Sequence, residues 1–156
     1  MIQVEIPGWK NLRIENIVLD LNGTTSQGGK VSRGTKTIIA HLASNASLFV
    51  LTADTRGNVR RLLEGFQVEI KILTSKSEKQ EKGDFVRSLG NKKVAYIGNG
   101  ANDELAMKKS GLSICVMGKE GCYTPTALNS HIIVPTINDA LDLLLFPERL
   151  VATLRR

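Results

Sequence analysis

Asp20 is the residue of this chain whose type and setting point most clearly to chemistry. It ends an apolar run that begins at Asn16, and the turn-forming segment Leu21–Thr24 follows it directly. An apolar run that delivers one carboxylate to a turn rich in glycine and threonine is typical of an open α/β sheet, in which ligands bind beyond the carboxyl ends of the strands. A carboxylate in that position can act as a nucleophile and carry a covalent phosphoryl intermediate.

Two further polar groups follow apolar runs of the same kind. Thr52 and Asp54 come directly after the second run, and the segment Gly98–Gly100, with Asn99 at its centre, comes after a later one. Taken singly, each of these segments could simply close a turn, because Asx and glycine residues often do so. Since the carboxyl ends of parallel strands meet at one edge of a sheet, we expect all of them to lie near Asp20 and to form an active site.

The elements that must position these residues alternate between short β-rich runs and helical stretches, which predicts a parallel sheet covered by helices. The predicted strands are Ile17–Leu19, Leu48–Leu51, Val68–Leu73, Val94–Ile97, Leu112–Val116 and Ile132–Val134, with Ile2–Ile6 as an edge strand. The predicted helices are Thr35–Ser44, Asn58–Leu63, Glu78–Leu89, Asp103–Lys109, Pro125–Leu128, Ile137–Leu144 and Glu148–Leu154. No repeat or linker interrupts the pattern, so we expect one compact domain over residues 1–156.

Composition narrows the class of protein. The 156 residues are 42% hydrophobic and 23% charged, which is ordinary for a globular protein with a real core. No apolar run is long enough to cross a membrane, and the first residues do not resemble a signal peptide. Cys115 and Cys122 lack a metal-binding spacing, which favours reduced thiols in a cytoplasmic protein.

The net charge of +6 is compatible with a nucleic acid partner and equally with anionic small substrates. The basic residues are scattered along the chain, and only four Phe, two Tyr and one Trp accompany them. This distribution does not provide the aromatic and basic surface on which single-stranded nucleic acids stack. This favours a solvated charged surface for most of these residues over a nucleic acid partner.

Four segments carry the candidate residues in a fixed order. They are Asp20-Leu-Asn22-Gly-Thr24, Leu51-Thr52-Ala53-Asp54, Lys82, and Gly98-Asn99-Gly100-Ala101-Asn102-Asp103. This series resembles the haloacid dehalogenase superfamily of phosphatases and phosphotransferases, and within it the catalytic core of P-type ATPases. The resemblance extends over nearly the whole chain. It implies a Rossmann-like three-layer α/β sandwich with a mainly parallel sheet.

The spacing of the segments leaves no room for the cap domain that many members of this superfamily carry. Asp20, Thr52 and Lys82 are each separated by about thirty residues, which the core elements fill. The segment Thr24–Lys30 is long enough only for a small flap. The resemblance therefore implies a capless, soluble P-type-ATPase-like domain that acts on large substrates or uses a homo-oligomeric partner to cover its site.

The resemblance assigns a role to each residue, and the chemistry supports these roles. Asp20 is the nucleophile, and Mg2+ is needed to bridge its carboxylate and the phosphate because the two anions repel each other. Candidate oxygen ligands for Mg2+ are Asp20, the backbone carbonyl of Asn22, Asn99 and Asp103. All four ligands are hard oxygen donors, as this cation requires.

The phosphoryl group itself requires hydrogen-bond donors and a positive charge. Thr52 offers a hydroxyl and a backbone N–H, and Lys82 offers an ammonium group. Lys79 lies on the same predicted helix and is a competing choice for the catalytic lysine. The other predicted contacts with phosphate or substrate are Gly23, Thr24, Ala53, Asp54 and Asn102.

Two positions depart from the superfamily pattern. Asn22 stands where phosphatases carry an Asp that shuttles a proton, and the loss of such help slows a reaction roughly 10²–10⁴-fold. Activated phosphates such as ATP or an acyl phosphate are affected less, because their leaving groups need no proton. Asn99 stands where an Asp usually binds the metal, and a neutral amide is a weaker ligand.

The leading hypothesis is therefore a magnesium-dependent phosphatase or phosphotransferase that forms an aspartyl-phosphate at Asp20. Its expected substrate is a phosphorylated small molecule or ATP, with activated phosphates favoured. The alternative is a catalytically impaired domain that binds phosphate or a partner protein on the same scaffold. Two altered catalytic positions are what an enzyme that has lost its activity would carry.

Overall fold

Eight strands and seven helices make up this computed structural model, which describes residues 1–156. The strands are β1 (Ile2–Glu5), β2 (Asn11–Ile14), β3 (Asn16–Asp20), β4 (Ser47–Thr52), β5 (Glu69–Ile72), β6 (Val94–Gly98), β7 (Leu112–Val116) and β8 (Ile132–Val134). The helices are α1 (Arg33–Leu42), α2 (Val59–Leu62), α3 (Glu78–Ser88), α4 (Glu104–Lys109), α5 (Thr124–Leu128), α6 (Ile137–Leu145) and α7 (Glu148–Leu154). Every predicted element is present, with ends that differ by a few residues at most.

Six strands form one wholly parallel sheet in the order β5-β4-β3-β6-β7-β8. The chain runs outward from β3 to β5 and then returns to the other side of β3 as β6. This reversal creates a switch point between the carboxyl ends of β3 and β6, where α/β proteins bind ligands. Asp20 ends β3 and Gly98 ends β6, so the sequence has placed its candidate residues at that point.

Helices cover both faces of the sheet, which confirms the predicted three-layer α/β sandwich. Ile17 and Leu19 of β3 belong to a large apolar core that includes α1 and α6, whereas Val18 packs with Val86 of α3 and Met107 of α4. All three strand residues are fully buried. Burial on both faces explains why β3 reads as a continuous apolar run instead of an alternating one.

The prediction of Ile2–Ile6 as an edge strand was wrong in its pairing. The segment forms β1, which pairs antiparallel with β2 in a separate two-stranded sheet in which Ile2 lies opposite Ile14. Val4 and Leu12 are buried against the large core, so both strands show the period of two that marks a strand. That period identifies a strand but carries no information on its partner, and β2 was not predicted.

Helix α3 carries the candidate lysine despite a strongly polar sequence. Its buried residues are Lys82, Gly83 and Val86, which share one helical face. A Cβ on Gly83 would lie 2.8 Å from Cδ2 of Leu105 on α4, so the glycine allows the two helices to approach closely. None of the helices combines the length and apolar character that a bilayer crossing would need.

Candidate active site

A polar cleft of about 250 Å³ opens at the carboxyl edge of the sheet. It brings together the four predicted catalytic residues. The first of them, Asp20, and the last, Lys82, lie more than sixty positions apart in the sequence. Its lining consists of Asp20, Asn22, Thr52, Ala53, Thr55, Glu78, Lys82, Asn99, Gly100, Asn102 and Glu120.

Lys82 forms the electrostatic centre of the cleft. Its side chain is 1% exposed, and its Nζ donates to Oδ1 of Asp20 at 2.6 Å and to Oδ1 of Asp103 at 2.8 Å. Burial alone would lower the pKa of Lys82, but the two carboxylates outweigh it and raise that pKa, so the ammonium stays charged. The competing Lys79 pairs with Glu104 on the surface at 2.6 Å and does not reach the cleft.

Asp20 is held in an environment that disfavours its charge. Burial and the neighbouring carboxylate of Asp103 raise the pKa of Asp20 to about 7, although Lys82 opposes this shift. Two carboxylates thus share one ammonium group, and the buried cluster carries a formal net charge of −1 when both are ionised. A bound cation or a proton would neutralise it.

Asp103 lies behind the wall of the cleft and is fully buried. Its Oδ1 accepts from Lys82 at 2.8 Å and from the Tyr96 hydroxyl at 2.6 Å, and its Oδ2 accepts from the backbone N–H groups of Asn99 at 3.0 Å and Gly100 at 2.9 Å. Four donors therefore occupy the two oxygens. In this arrangement Asp103 positions Lys82 and the Asn99–Gly100 loop, and its role as a metal ligand stays a prediction.

Asn99 is fixed on both sides of its amide. Its Oδ1 accepts from the Thr24 hydroxyl at 3.0 Å, and its Nδ2 donates to the carbonyl of Gly121 at 3.1 Å. The side chain thereby connects the loop after β6 with the segment after β3 and the loop after β7. Thr24 is fully buried and does not line the cleft, where a phosphate contact had been expected. Besides its contact with Asn99, its side chain favours the charged form of Asp20 by hydrogen bonding, which opposes the rise in the pKa of Asp20.

The turn after Asp20 requires a glycine at position 23. Gly23 has a φ of +76°, and a Cβ there would lie 2.7 Å from both Nδ2 of Asn99 and Oε2 of Glu120. The Thr25 hydroxyl closes the turn by donating to the carbonyl of Asp20 at 2.7 Å. The role of Gly23 in the structure is therefore to permit the close approach of the neighbouring loops.

The loop after β4 uses its polar groups internally. The Thr52 hydroxyl accepts from the backbone N–H of Asp54 at 3.0 Å, and Oδ1 of Asp54 accepts from the N–H groups of Asn58 at 3.0 Å and Val59 at 3.1 Å. Asp54 thus caps the start of α2 and lines a neighbouring depression instead of the cleft. Thr52 and Ala53 do line the cleft, as expected for phosphate contacts.

Three residues of the site could not be recognised from the sequence. Tyr96 looked like a core residue of β6, and Glu78 looked like an acidic residue at a helix start, where it interacts favourably with the helix dipole. Glu78 also accepts from Nδ2 of Asn102 at 2.7 Å, so Asn102 is tied to α3. Glu120 belongs to a glycine-flanked turn that gave no functional signal, yet its carboxylate reaches the cleft.

The donor set of the cleft fits a hard divalent cation. The carboxylate of Asp20, the backbone carbonyl of Asn22 and Oδ1 of Asn99 are oxygen donors of the kind that Mg2+ binds, and Glu120 brings a further carboxylate to the same cleft. No group of three or more His, Cys, Asp or Glu side chains could hold a metal ion anywhere in the chain. A cation here would therefore depend on amide and backbone oxygens as well as carboxylates.

Comparison with known proteins gives relatives in sequence and in structure. No protein-family model matches the chain. An uncharacterized protein of Methanocaldococcus jannaschii is 58% identical over 65 residues, which cover 42% of this chain and 70% of that protein. A soluble P-type ATPase-like phosphatase of the same organism is 24% identical over 146 residues, which cover 90% of this chain but only 53% of that protein.

Solved structures share the fold. The 3-deoxy-D-manno-octulosonate 8-phosphate phosphatase of Moraxella catarrhalis, in complex with magnesium and phosphate ions and the sugar acid, has a TM-score of 0.70 and 19% identity, covering 89% of this chain and 90% of its own. The cobalt-bound deoxy-D-mannose-octulosonate 8-phosphate phosphatase of Haemophilus influenzae has a TM-score of 0.71 and 15% identity, covering 90% and 92%.

The ordered motifs, the parallel sheet with its switch point and these relatives agree. The chain has the fold of these solved phosphatases, and its motifs resemble those of the haloacid dehalogenase superfamily.

Proposed function

We propose that this chain is a phosphatase or phosphotransferase that transfers a phosphoryl group to and from Asp20. The observation that carries the proposal is the position of the Lys82 ammonium, which contacts the carboxylate at the end of β3 at 2.6 Å and is anchored from behind by Asp103. A buried ammonium fixed beside a carboxylate at a switch point is suited to the charge of a phosphoryl group in transfer.

The steps follow from the residues that line the cleft. A carboxylate oxygen of Asp20 attacks phosphorus, the bond to the leaving oxygen breaks, and the leaving group departs with its electron pair. Lys82 and the Thr52 hydroxyl and backbone N–H bind the equatorial phosphoryl oxygens during this displacement. Water then attacks the phosphorus of the aspartyl-phosphate, which regenerates Asp20 and releases inorganic phosphate.

Asp20, the carbonyl of Asn22 and Oδ1 of Asn99 are the groups that would hold a magnesium ion, with Glu120 nearby. The ion, when bound, supplies positive charge that offsets the repulsion between the carboxylate and the phosphate. Cobalt and magnesium in the two octulosonate phosphatases support a divalent cation in this class of site.

Asn22 determines which phosphates are good substrates. An amide can orient a leaving group by hydrogen bonding but cannot protonate it, so ordinary phosphate esters should react slowly. An acyl phosphate or ATP needs no such proton. We therefore propose a phosphorylated small molecule with a good leaving group as the substrate. We further propose that residues 1–156 act as one capless catalytic unit whose cleft a second copy can cover.

The proposal is tested by measuring phosphate release from acetyl phosphate, ATP and p-nitrophenyl phosphate with magnesium, for the parent and for Asp20→Asn. We expect release from acetyl phosphate that Asp20→Asn abolishes, and slower release from the ester. Equal rates for the parent and the variant on every substrate would overturn the assignment of Asp20.

A second candidate is a domain that binds phosphate without turning it over, and the amides at Asn22 and Asn99 favour it. Isothermal titration with inorganic phosphate separates the two functions. Binding that Thr52→Val weakens, together with no phosphate release from any compound above, would support the second candidate.

A further inference from the structure

Two further depressions lie next to the cleft on the side of Thr52. A second depression shares Asn22, Thr52 and Thr55 with it and extends to Arg56, and a third depression continues from Arg56 to Arg60 and Arg61. Neighbouring depressions share lining residues, so the three lie side by side from Lys82 to the exposed arginines, and the middle one encloses only about 10 Å³. The third depression has no hydrophobic residue in its lining.

We call Arg56, Arg60 and Arg61 the arginine cluster. None of the three forms an ion pair, although Arg87 and Arg149 elsewhere in the chain do. The one carboxylate in the lining is Asp54, and its Oδ1 already accepts two backbone N–H groups as the cap of α2. The depression therefore carries three guanidinium charges against one carboxylate.

The backbone presents this cluster in a defined way. Asp54 and Gly57 have φ values of +48° and +63°, which fold the loop tightly, and Val59 is fully buried and anchors it. Nη1 of Arg56 lies 2.8 Å from the position that a Cβ on Gly29 would occupy. Arg56 thus extends from the loop after β4 to the flap after β3, between the cleft and the other two arginines.

We propose that the arginine cluster binds a second anionic group of the substrate, a phosphate or carboxylate, while the reacting phosphoryl group lies between Asp20 and Lys82. This inference rests on the proposed function, since it names the class of substrate for the same site. A guanidinium group offers a planar pair of N–H donors that matches phosphate and carboxylate oxygens, and an arginine without an acidic partner keeps those donors available.

The substrate class follows from this arrangement. It is a small molecule with a phosphoryl group at one end and a second phosphate or a carboxylate at the other, joined by a spacer that crosses the exposed surface at Thr55. A substrate with a single phosphate would leave the cluster without a ligand and would be bound more weakly. The absence of hydrophobic lining in the third depression argues against an apolar group at that end.

Binding of non-hydrolysable phosphonates tests the proposal without any need for catalysis. Isothermal titration would compare alkyl monophosphonates with α,ω-bisphosphonates and phosphono-carboxylates of increasing chain length, for the parent protein and for the Arg56→Ala, Arg60→Ala, Arg61→Ala triple variant. Arg13→Ala is the matched control, because Arg13 is an exposed and unpaired arginine on β2.

We expect an optimal chain length at which the second anion strengthens binding to the parent roughly tenfold or more, because hydrogen bonds between charged groups are stronger than those between neutral ones. The triple variant should lose this gain and keep the affinity for the monophosphonate, and Arg13→Ala should keep both. Substitution of the three arginines by lysine should restore part of the gain.

A second anion that brings no gain at any chain length would overturn the proposal, as would a gain that the triple variant retains. Tight competition by a single-stranded oligonucleotide would also overturn it, because the cluster would then serve a nucleic acid. If the gain is present and depends on the arginines while no substrate is turned over, the proposed reaction fails and the assignment of the cluster stands.

Discussion

Lys82 and the arginine cluster provide positive charge in neighbouring depressions of the same surface, but their environments differ. The Lys82 side chain is 1% exposed and contacts two carboxylates within 2.8 Å, whereas Arg56, Arg60 and Arg61 are exposed and form no ion pair. The buried charge is a fixed part of the protein, because removing it would leave two carboxylates unpaired in the interior. The exposed charges contribute little to folding and are available to a ligand.

This difference in environment suits the two regions to two different functions. The end at Lys82 is rigid and has room for one small charged group, which suits the reacting phosphoryl group. The end at Arg61 is open and hydrophilic, which suits recognition of the remainder of the substrate. Variants at the two ends should therefore have different effects, with large losses of stability and chemistry at the first and changes of affinity at the second.

Lys82→Met should produce the largest effect. It leaves the carboxylates of Asp20 and Asp103 buried without their partner, so we expect the free energy of unfolding to fall by about 3–5 kcal/mol in urea denaturation. Phosphate release should be lost together with stability. Lys79→Met is the control, since it removes an exposed ion pair and should change the stability by less than about 1 kcal/mol. Similar losses in both variants would contradict the central position of Lys82.

Asn22→Asp should have the next largest effect, and its effect should be on the chemical step. A carboxyl group at this position can protonate the leaving oxygen, so hydrolysis of p-nitrophenyl phosphate should rise roughly 10²–10⁴-fold, as measured by steady-state kinetics. An unchanged rate would show that proton transfer at this position does not limit the reaction.

Asp20→Asn should alter how stability depends on pH in the metal-free protein. Burial and Asp103 raise the folded-state pKa of Asp20 from 3.8 to about 7, so the unfolded state releases this proton first. The parent should therefore lose stability as the pH rises between these two values, and Asp20→Asn should remove that loss. Above pH 7 the variant should be more stable by roughly 1–3 kcal/mol. Thermal unfolding across this range provides the measurement.

His131 provides an internal reference for the same experiment. Burial lowers its pKa from 6.5 to about 4, so both proteins should lose stability as the pH falls through that range. Because this change is common to the parent and the variant, their difference isolates Asp20. A difference that does not vary with pH would contradict the shifted pKa of Asp20.

The arginine triple variant should have the smallest effect on the fold. The three side chains are exposed and unpaired, so its free energy of unfolding should differ from that of the parent by less than about 0.5 kcal/mol. Chemical denaturation measures this directly. A loss of several kcal/mol would mean that the cluster stabilises the loop after β4, and its availability for a ligand would then be in doubt.

The sequence predicted much of the fold because its signals are local. The apolar run before Asp20 and the glycines between elements define strand and helix positions, and all six strands of the main sheet were found. The pairing of β1 with β2 was missed, because a period of two does not name a partner. Parallel strand ends also predicted that Asp20, Thr52 and Asn99 would meet, and they line one cleft.

The individual roles of the residues in the site could not be predicted from the sequence. The sequence could not show that Asp103 accepts hydrogen bonds from four donors at distant and neighbouring positions. Glu120 lies in an ordinary turn and becomes part of the cleft only because Gly23 lets the loops meet. Such roles depend on which donors and loops converge in three dimensions, and neither spacing nor residue type encodes that.

The central claim is that Asp20 carries the phosphoryl group, and intact-mass analysis tests it most directly. The parent and Asp20→Asn would be incubated with magnesium and acetyl phosphate and quenched in acid at short and long times. Their intact masses would then be measured by mass spectrometry. We predict one phosphoryl adduct on the parent, lost on hydroxylamine treatment as an acyl phosphate should be, and none on the variant. A phosphoryl adduct on Asp20→Asn in the same amount as on the parent would contradict the account. Phosphate release by the parent with no adduct at any time would also contradict it.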